Sequence, residues 1–358
     1  MNLTALNILT LACGLFLLCS CIQRPHTSTK TLPANTSAIQ IMGRTQTHAD
    51  GSLTFAYPGV AFTAQVHAQA LSFTASSSQG NSWLDIQVDD GPSRAVRVMQ
   101  NEQAIEVFHH QRSGAHRVVI THRTEPWIGA VTLKHWTLKN GTFQAAPVLP
   151  PRKIMVLGDS ITCGEATERV AGEAKHSGWW NGRNSYGFLT AHALNAQVHL
   201  ICAGGRGLTR SWNGKNDEAK LADFYRYTLG DANHSLFWNS PQYSPDVIIV
   251  AIGTNDFSPG IPTPAHFINR YINFLHTLRA DYPAAQILIT EGPMLQGQAK
   301  TTLVDFLQQI CKQLNDEKIM YYASIHAGGD AQDAHPTLAQ HQQMAAALTA
   351  YIRTLMHW

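Results

Sequence analysis

The stretch RKIMVLGDSITCGEAT, residues 152–167, sets the reading of the whole chain. Its apolar run, Ile154 to Leu157, stops abruptly at Gly158, Asp159 and Ser160. A continuous apolar run without alternation suits a strand buried on both faces, as in a parallel sheet covered by helices. Downstream, Val198–Cys202, Asp246–Ile252, Gln286–Thr290 and Lys318–Ala323 are runs of the same kind. Between them and after them lie segments with helical spacing: Tyr186–Leu194, Glu218–Tyr227, Pro264–Ala280, Thr302–Leu314 and Leu338–Met356. Strand and helix alternating in this way predict a three-layer α/β domain over 153–358, with a five-stranded parallel sheet.

Upstream the period changes. From Ile39 to about Phe143 apolar and polar residues alternate in short pieces, such as Trp83-Leu84-Asp85-Ile86-Gln87-Val88 before the turn signal Asp89-Asp90-Gly91. No long stretch there has helical spacing, so 38–146 reads as an all-β, jelly-roll-like sandwich. The prolines of 147–152 mark a linker between the two domains, because proline stiffens the chain and donates no backbone hydrogen bond. Residues 22–37, rich in Ser, Thr and Pro, read as a flexible tether. Residues 1–21 read as an export signal: Leu3 to Leu18 is mostly apolar and short. It ends in Leu18-Cys19-Ser20-Cys21, which resembles a bacterial lipobox with Cys21 as the lipidated residue. The protein is thus expected outside the cytoplasm, as a lipid-anchored or otherwise secreted protein.

At 358 residues, with 44% apolar and 14% charged residues, the chain has enough apolar material for two folded domains. Its net charge of +2 has no basic block behind it, which argues against nucleic acid or another polyanion as partner. The 18 histidines are scattered, and no spacing resembles a zinc site, so neither metal nor cofactor is expected. His341, on the last helical segment, is expected to face solvent. Outside the export segment, Cys163, Cys202 and Cys311 remain; they permit at most one disulfide, and the reading favours buried thiols.

Open α/β sheets carry their sites at the carboxyl ends of strands. In this chain those ends read Gly158-Asp159-Ser160, Ala203-Gly204-Gly205-Arg206-Gly207, Gly253-Thr254-Asn255-Asp256, and, after the fifth strand, Asp330-Ala331-Gln332-Asp333-Ala334-His335-Pro336. A serine, a glycine-rich turn, an asparagine and a histidine are the parts of acyl transfer: nucleophile, oxyanion donors and base. Each alone has a plainer reading, Ser160 as a helix cap and Asn255 as a turn residue. Four such blocks in order at one sheet edge overturn the plainer readings. Asp159 is read as a structural residue that holds its loop.

The four blocks resemble the SGNH (GDSL-type) hydrolases. With the preceding β domain, GDSITCG, GRG, SPDVIIVAIGTNDFS and DAHP are similar to carbohydrate esterase family 2, bacterial enzymes that remove acetyl groups from plant polysaccharides. The resemblance implies Ser160 as nucleophile, His335 as base, and an oxyanion hole from the Ser160 backbone N–H, a glycine N–H and the Asn255 side chain. Gly205 is the first choice for that glycine and Gly207 the second. The broad family pattern places an aspartate three residues before the histidine, where this chain has Gln332. Asp333, Asp330 or a backbone carbonyl are the alternatives for orienting the ring, with Asp333 preferred. Trp179, Trp180, Trp212 and Trp238 fall in loops where they are candidates to stack on sugars. The loop 164–184 is positioned to wall the substrate.

The leading expectation is a serine esterase on O-acetylated xylan or glucomannan. The alternatives are an esterase on another acyl substrate (envelope glycan, sialic acid or lipid) or a non-catalytic carbohydrate-binding lipoprotein. Oligomeric state is not legible.

Overall fold

The computed structural model describes residues 28–230, 236–238, 243–326 and 328–358. The export segment and Cys21 lie outside the described residues.

Ten strands form the first domain: β1 (Thr29–Pro33), β2 (Ile39–Met42), β3 (Gln46–Thr47), β4 (Leu53–Phe55), β5 (Ala61–Ser77), β6 (Ser82–Val88), β7 (Arg94–Val98), β8 (Gln103–His122), β9 (Val131–Lys139) and β10 (Thr142–Phe143). All their pairings are antiparallel, and β5 and β8 are the spine. A straight strand rises about 3.3 Å per residue, which would separate Phe62 from Phe73 by roughly 36 Å. Yet both rings lie near Trp136, at centroid distances of 6.3 and 5.6 Å. The sheet therefore folds over on itself, and its pairing shifts register between Ala68 and Ala70 and again between Leu71 and Ser72. Alternate side chains such as Phe62, Ala64, Val66 and Ala68 then point into one apolar core.

The stretch expected as a tether is corrected at its end. Thr29–Pro33 pairs with Lys139–His135 as an edge strand, and Pro33 at its last position costs no central ladder bond.

The second domain holds β11 (Arg152–Gly158), β12 (Ala196–Cys202), β13 (Val247–Ala251), β14 (Gln286–Thr290) and β15 (Ile319–Tyr321), all parallel, in the order β12-β11-β13-β14-β15. Its helices are α1 (Tyr186–Ala193), α2 (Leu221–Phe224), α3 (Thr254–Phe257), α4 (Pro264–Asp281), α5 (Gly297–Leu314) and α6 (Leu338–Met356). The period of two along each strand sorts the layers. Met155, Leu157, Ile248 and Val250 pack towards α4 and α5, while Ile154, Val156, Val247 and Ile249 pack towards α1 and α6. The continuous apolar runs follow from burial on both faces.

Two expectations change here. Glu218–Tyr227 forms only the single turn Leu221–Phe224, because the cap of Lys220 and Asp223 starts it late and Thr228 N–H bonds to Leu236 O, in a bridge of Tyr227 with Phe237, rather than back along a helix. Helix α5 begins at Gly297 rather than Thr302.

The strand order places β11 between β12 and β13, so the chain reverses its winding direction there. A crevice opens at such a switch point. Ser160, Gly205 and Asn255 follow these three strands directly.

Candidate active site

Each candidate residue owes its place to one element. Ser160 follows β11 in a tight turn in which Glu165 N–H donates to Ser160 O and Cys163 N–H to Asp159 O. Asp159 accepts from Ile161 N–H at 3.1 Å, as its structural reading requires. Burial pushes its carboxyl up to about 7, against the pull of that hydrogen bond. Cys163 and Cys202 form a disulfide with Cα atoms 5.6 Å apart, which corrects the expectation of thiols. The bond ties the turn after β11 to the end of β12, and so the serine to the glycine loop.

In that loop Gly205 has φ of +73° and a Cβ there would meet the Trp212 ring at 2.7 Å, so both backbone and neighbour demand glycine. Its N–H has no partner among the described residues and lies on the cleft. Gly207, the second choice, packs instead against Asp256 and the Arg210 carbonyl. Asn255 is the second residue of the short α3 after β13, and its Nδ2 donates to Arg206 O at 3.0 Å and, more loosely, to Asp159 Oδ2 at 3.4 Å.

His335 arrives from the far edge of the sheet. Thr337 and Gln340 form a reciprocal cap on α6, and α6 packs beside α1, which brings the preceding loop back over β11. His335 Nε2 lies 2.9 Å from Ser160 Oγ, and Nδ1 lies 2.7 Å from Asp333 Oδ1. Asp333 Oδ1 also accepts from the His335 backbone N–H at 2.9 Å, which fixes the pair within one turn. Asp330, the alternative partner, is turned away to Arg169 at 2.8 Å.

The electrostatics follow from this packing. Burial opposes charge on His335, but the Asp333 hydrogen bond and the Glu165 carboxylate at 3.5 Å outweigh it, so its pKa is raised above the usual 6.5. Burial likewise opposes charge on Asp333, yet its bonds to His335 and Lys175 hold it well below the usual carboxylate range. The ionised Asp333 carboxylate thus strengthens the imidazole as a proton acceptor, as a general base requires.

Several supporting residues escaped the sequence reading. Lys175 bridges Glu165 at 2.6 Å and Asp333 at 2.7 Å. Arg169 donates to the carbonyls of Asp333, His335 and Pro336 and so staples the histidine loop. From the first domain, buried Glu125 accepts from the Gly204 N–H and from Trp180 Nε1. Burial, then the nearby Glu165 charge, pushes Glu125 up to about 7. Asp256 accepts from the N–H groups of Leu208 and Thr209, joining the loops after β12 and β13. The only signal in the sequence for Glu165, Arg169 and Lys175 was their place in the loop 164–184.

The resulting cleft of about 540 Å³ is lined by Ser160, Glu165, Gly205, Asn255, His335 and the rings of Trp127 and Trp212. Of the tryptophan candidates, Trp212 reaches it, 58% exposed. Trp179 is buried with Ile128 and Ala166, and Trp180 lies beneath Trp127. Trp238 is corrected: its ring lies against Arg44 and His199, away from the cleft, because the buried guanidinium takes it as a cover. Trp127, which the sequence reading passed over, stands in the cleft wall. His341 is also corrected. It is fully buried, and its Nδ1 accepts from Tyr186 N–H at 3.1 Å while the ring stacks on Tyr186.

Residues 41–147 match the family described as Carbohydrate esterase 2 N-terminal, and residues 156–347 match the GDSL-like Lipase/Acylhydrolase family. The chain is 51% identical over 340 residues to an acetylxylan esterase / glucomannan deacetylase of Cellvibrio japonicus, covering 95% of each chain. A solved family two carbohydrate esterase from the same organism superposes with a TM-score of 0.91 at 52% identity, covering 93% of this chain and 99% of that one. A second, from Clostridium thermocellum in complex with cellohexaose, gives 0.84 at 30% identity over 89% of this chain and 99% of that one.

Proposed function

The chain belongs to carbohydrate esterase family 2 of the GDSL-type (SGNH) hydrolases and is a carboxylic ester hydrolase; from that premise we propose that it removes O-acetyl groups from acetylated xylan or glucomannan through an acetyl-serine intermediate on Ser160. The observation that carries the reading is the unbroken relay Ser160 Oγ, His335 Nε2, His335 Nδ1, Asp333 Oδ1, with steps of 2.9 and 2.7 Å, opening into a cleft that holds Gly205 and Asn255.

The steps follow from that geometry. Nδ1–H donates to Asp333, which leaves the Nε2 lone pair facing the serine hydroxyl. Ser160 Oγ attacks the acetyl carbonyl carbon as its proton passes to Nε2. The carbonyl oxygen gains negative charge, and the N–H groups of Ser160 and Gly205 donate to it, joined by the Asn255 amide hydrogen that leaves its loose 3.4 Å contact with Asp159. Each such donor contributes about 3–4 kcal/mol in known oxyanion holes. The imidazolium then returns its proton to the sugar oxygen as the C–O bond breaks. Water attacks acetyl-Ser160, gives its proton to Nε2, and acetate leaves as the serine hydroxyl is restored. Asp333 stays ionised throughout and stabilises the imidazolium.

The same proposal has the protein exported and held at a membrane by a lipid on Cys21. The Cys163–Cys202 disulfide supports export, since the cytosol of most organisms keeps thiols reduced. A purely sugar-binding role is disfavoured by the intact relay. Acetate release from acetylated xylan and glucomannan tests the enzymatic reading. Ser160→Ala is expected to lower turnover by about 10⁴-fold or more. Equal turnover by both proteins overturns it.

A further inference from the structure

A second depression, of about 430 Å³, adjoins the cleft beyond Trp127. Its walls come from both domains, with Gln79, Asn81 and Trp83 on one side and His176 and Ser177 of the loop 164–184 on the other. Trp127 lines cleft and depression alike and is 54% exposed. Its backbone carbonyl accepts from Gln79 Nε2 at 3.0 Å, and its ring meets Trp180 edge-on at 6.0 Å. Trp83 is held by an indole N–H bond to Ser177 Oγ at 3.0 Å and by the Arg123 guanidinium 5.9 Å over its ring. The Trp83 ring is thus fixed before a ligand arrives, and Trp127 is anchored through its backbone and its edge contact with Trp180, so stacking on Trp83 costs little further side-chain entropy.

The charge of the walls selects the ligand. Arg97 is committed to Gly80 O at 2.8 Å and Asn81 Oδ1 at 2.6 Å, and Lys175 to Glu165 and Asp333. Among the described residues no carboxylate lines the depression. What remains is aromatic faces, amides and an imidazole, a surface for a neutral polyol rather than for an anion or a hydrocarbon chain.

We propose that this depression is a carbohydrate subsite. It binds neutral sugar units of the same glycan chain whose acetylated unit sits at Ser160, with Trp127 as the wall between. The inference rests on the polysaccharide reading above. It gives the first domain a part in choosing long substrates over short ones.

The test uses Ser160→Ala protein, which binds without turnover, titrated calorimetrically with β-1,4-linked mannobiose and mannohexaose. The hexaose is expected to bind about tenfold more tightly or better. Adding Trp83→Ala, or separately Gln79→Ala with Asn81→Ala on the exposed turn, brings the hexaose to the affinity of the disaccharide. A hexaose no tighter than the disaccharide, or an advantage that survives both sets of substitutions, overturns the proposal. Failure of the enzymatic reading is distinguishable: wild-type protein would then release no acetate from polysaccharide while the hexaose still bound.

Discussion

The strand ends of the α/β sheet and the segments that surround them, the loop 164–184 and the edge of the β domain, make unlike contributions to the cleft. The strand ends bring the atoms that would react: Ser160 after β11, Gly205 after β12, Asn255 after β13. The surrounding segments bring no reacting atom, yet they hold the loop of His335 and the loop of Gly205 in place. Arg169 and Lys175 fix the loop of His335, and Glu125 fixes the amide beside Gly205. Chemistry is thus local to one sheet edge, while its precision is borrowed from residues far away in the chain. A substitution in the first group should remove the reaction itself. One in the second should leave the reaction but misplace its parts.

Asp333→Asn probes the boundary between the groups and carries the largest expected effect among the supporting residues. The asparagine still fits but disfavours the Nδ1–H tautomer, so kcat should fall by about 10³-fold or more. The pH profile gives a second readout. His335 works as a base only when neutral, and its raised pKa places the acidic limb of kcat/KM above 6.5. Removing the carboxylate removes an interaction that favours the imidazolium, so the limb moves to lower pH. A limb that stays put, with kcat intact, would assign the orienting role to another group.

Replacing Cys163 and Cys202 together by serine breaks the covalent link between two strand ends. The bond closes a loop of sequence separation 39. Chain entropy puts the loss at up to about 4 kcal/mol of stability. Thermal unfolding with and without reductant measures it, and an unchanged Tm would contradict a stabilising role.

Glu125→Gln is the smallest of the three and sharpens the comparison most. Glu125 receives two buried N–H groups, and glutamine offers only one acceptor oxygen, leaving one donor facing an amide NH₂. An unsatisfied buried donor costs about 1–3 kcal/mol. If Gly204 is the one released, kcat falls about tenfold with little change in KM. An equal rise in KM with kcat preserved would place Glu125 in substrate binding instead.

The same division explains what was legible. The five parallel strands were readable because burial on both faces forces unbroken apolar runs, and β14 was read to the residue. The order of Ser160, Asn255 and His335 was readable because Ser160 and Asn255 come just after recognisable strands and His335 just before a recognisable helix. The support was not, since its contacts span large separations: Gly204 to Glu125 across 79 residues, Lys175 to Asp333 across 158. Periodicity reports a residue's own element, never its distant partner. His341 failed for that reason, because a polar residue on a helix reads as exposed until Tyr186 N–H is seen to need it, 155 residues away. The strand Thr29–Pro33 failed likewise, its Ser/Thr/Pro composition hiding a ladder with β9.

The central claim is that Ser160 itself takes up the acyl group. The most direct measurement is mass analysis of the 158–164 peptide from protein quenched during turnover of an aryl acetate. The account predicts an acetyl group on Ser160 in the wild-type protein, absent when the quench precedes substrate and absent from Ser160→Ala, which releases acetate at a small fraction of the wild-type rate. Undiminished turnover by Ser160→Ala, or a transient acetyl group carried by a different residue, would contradict it.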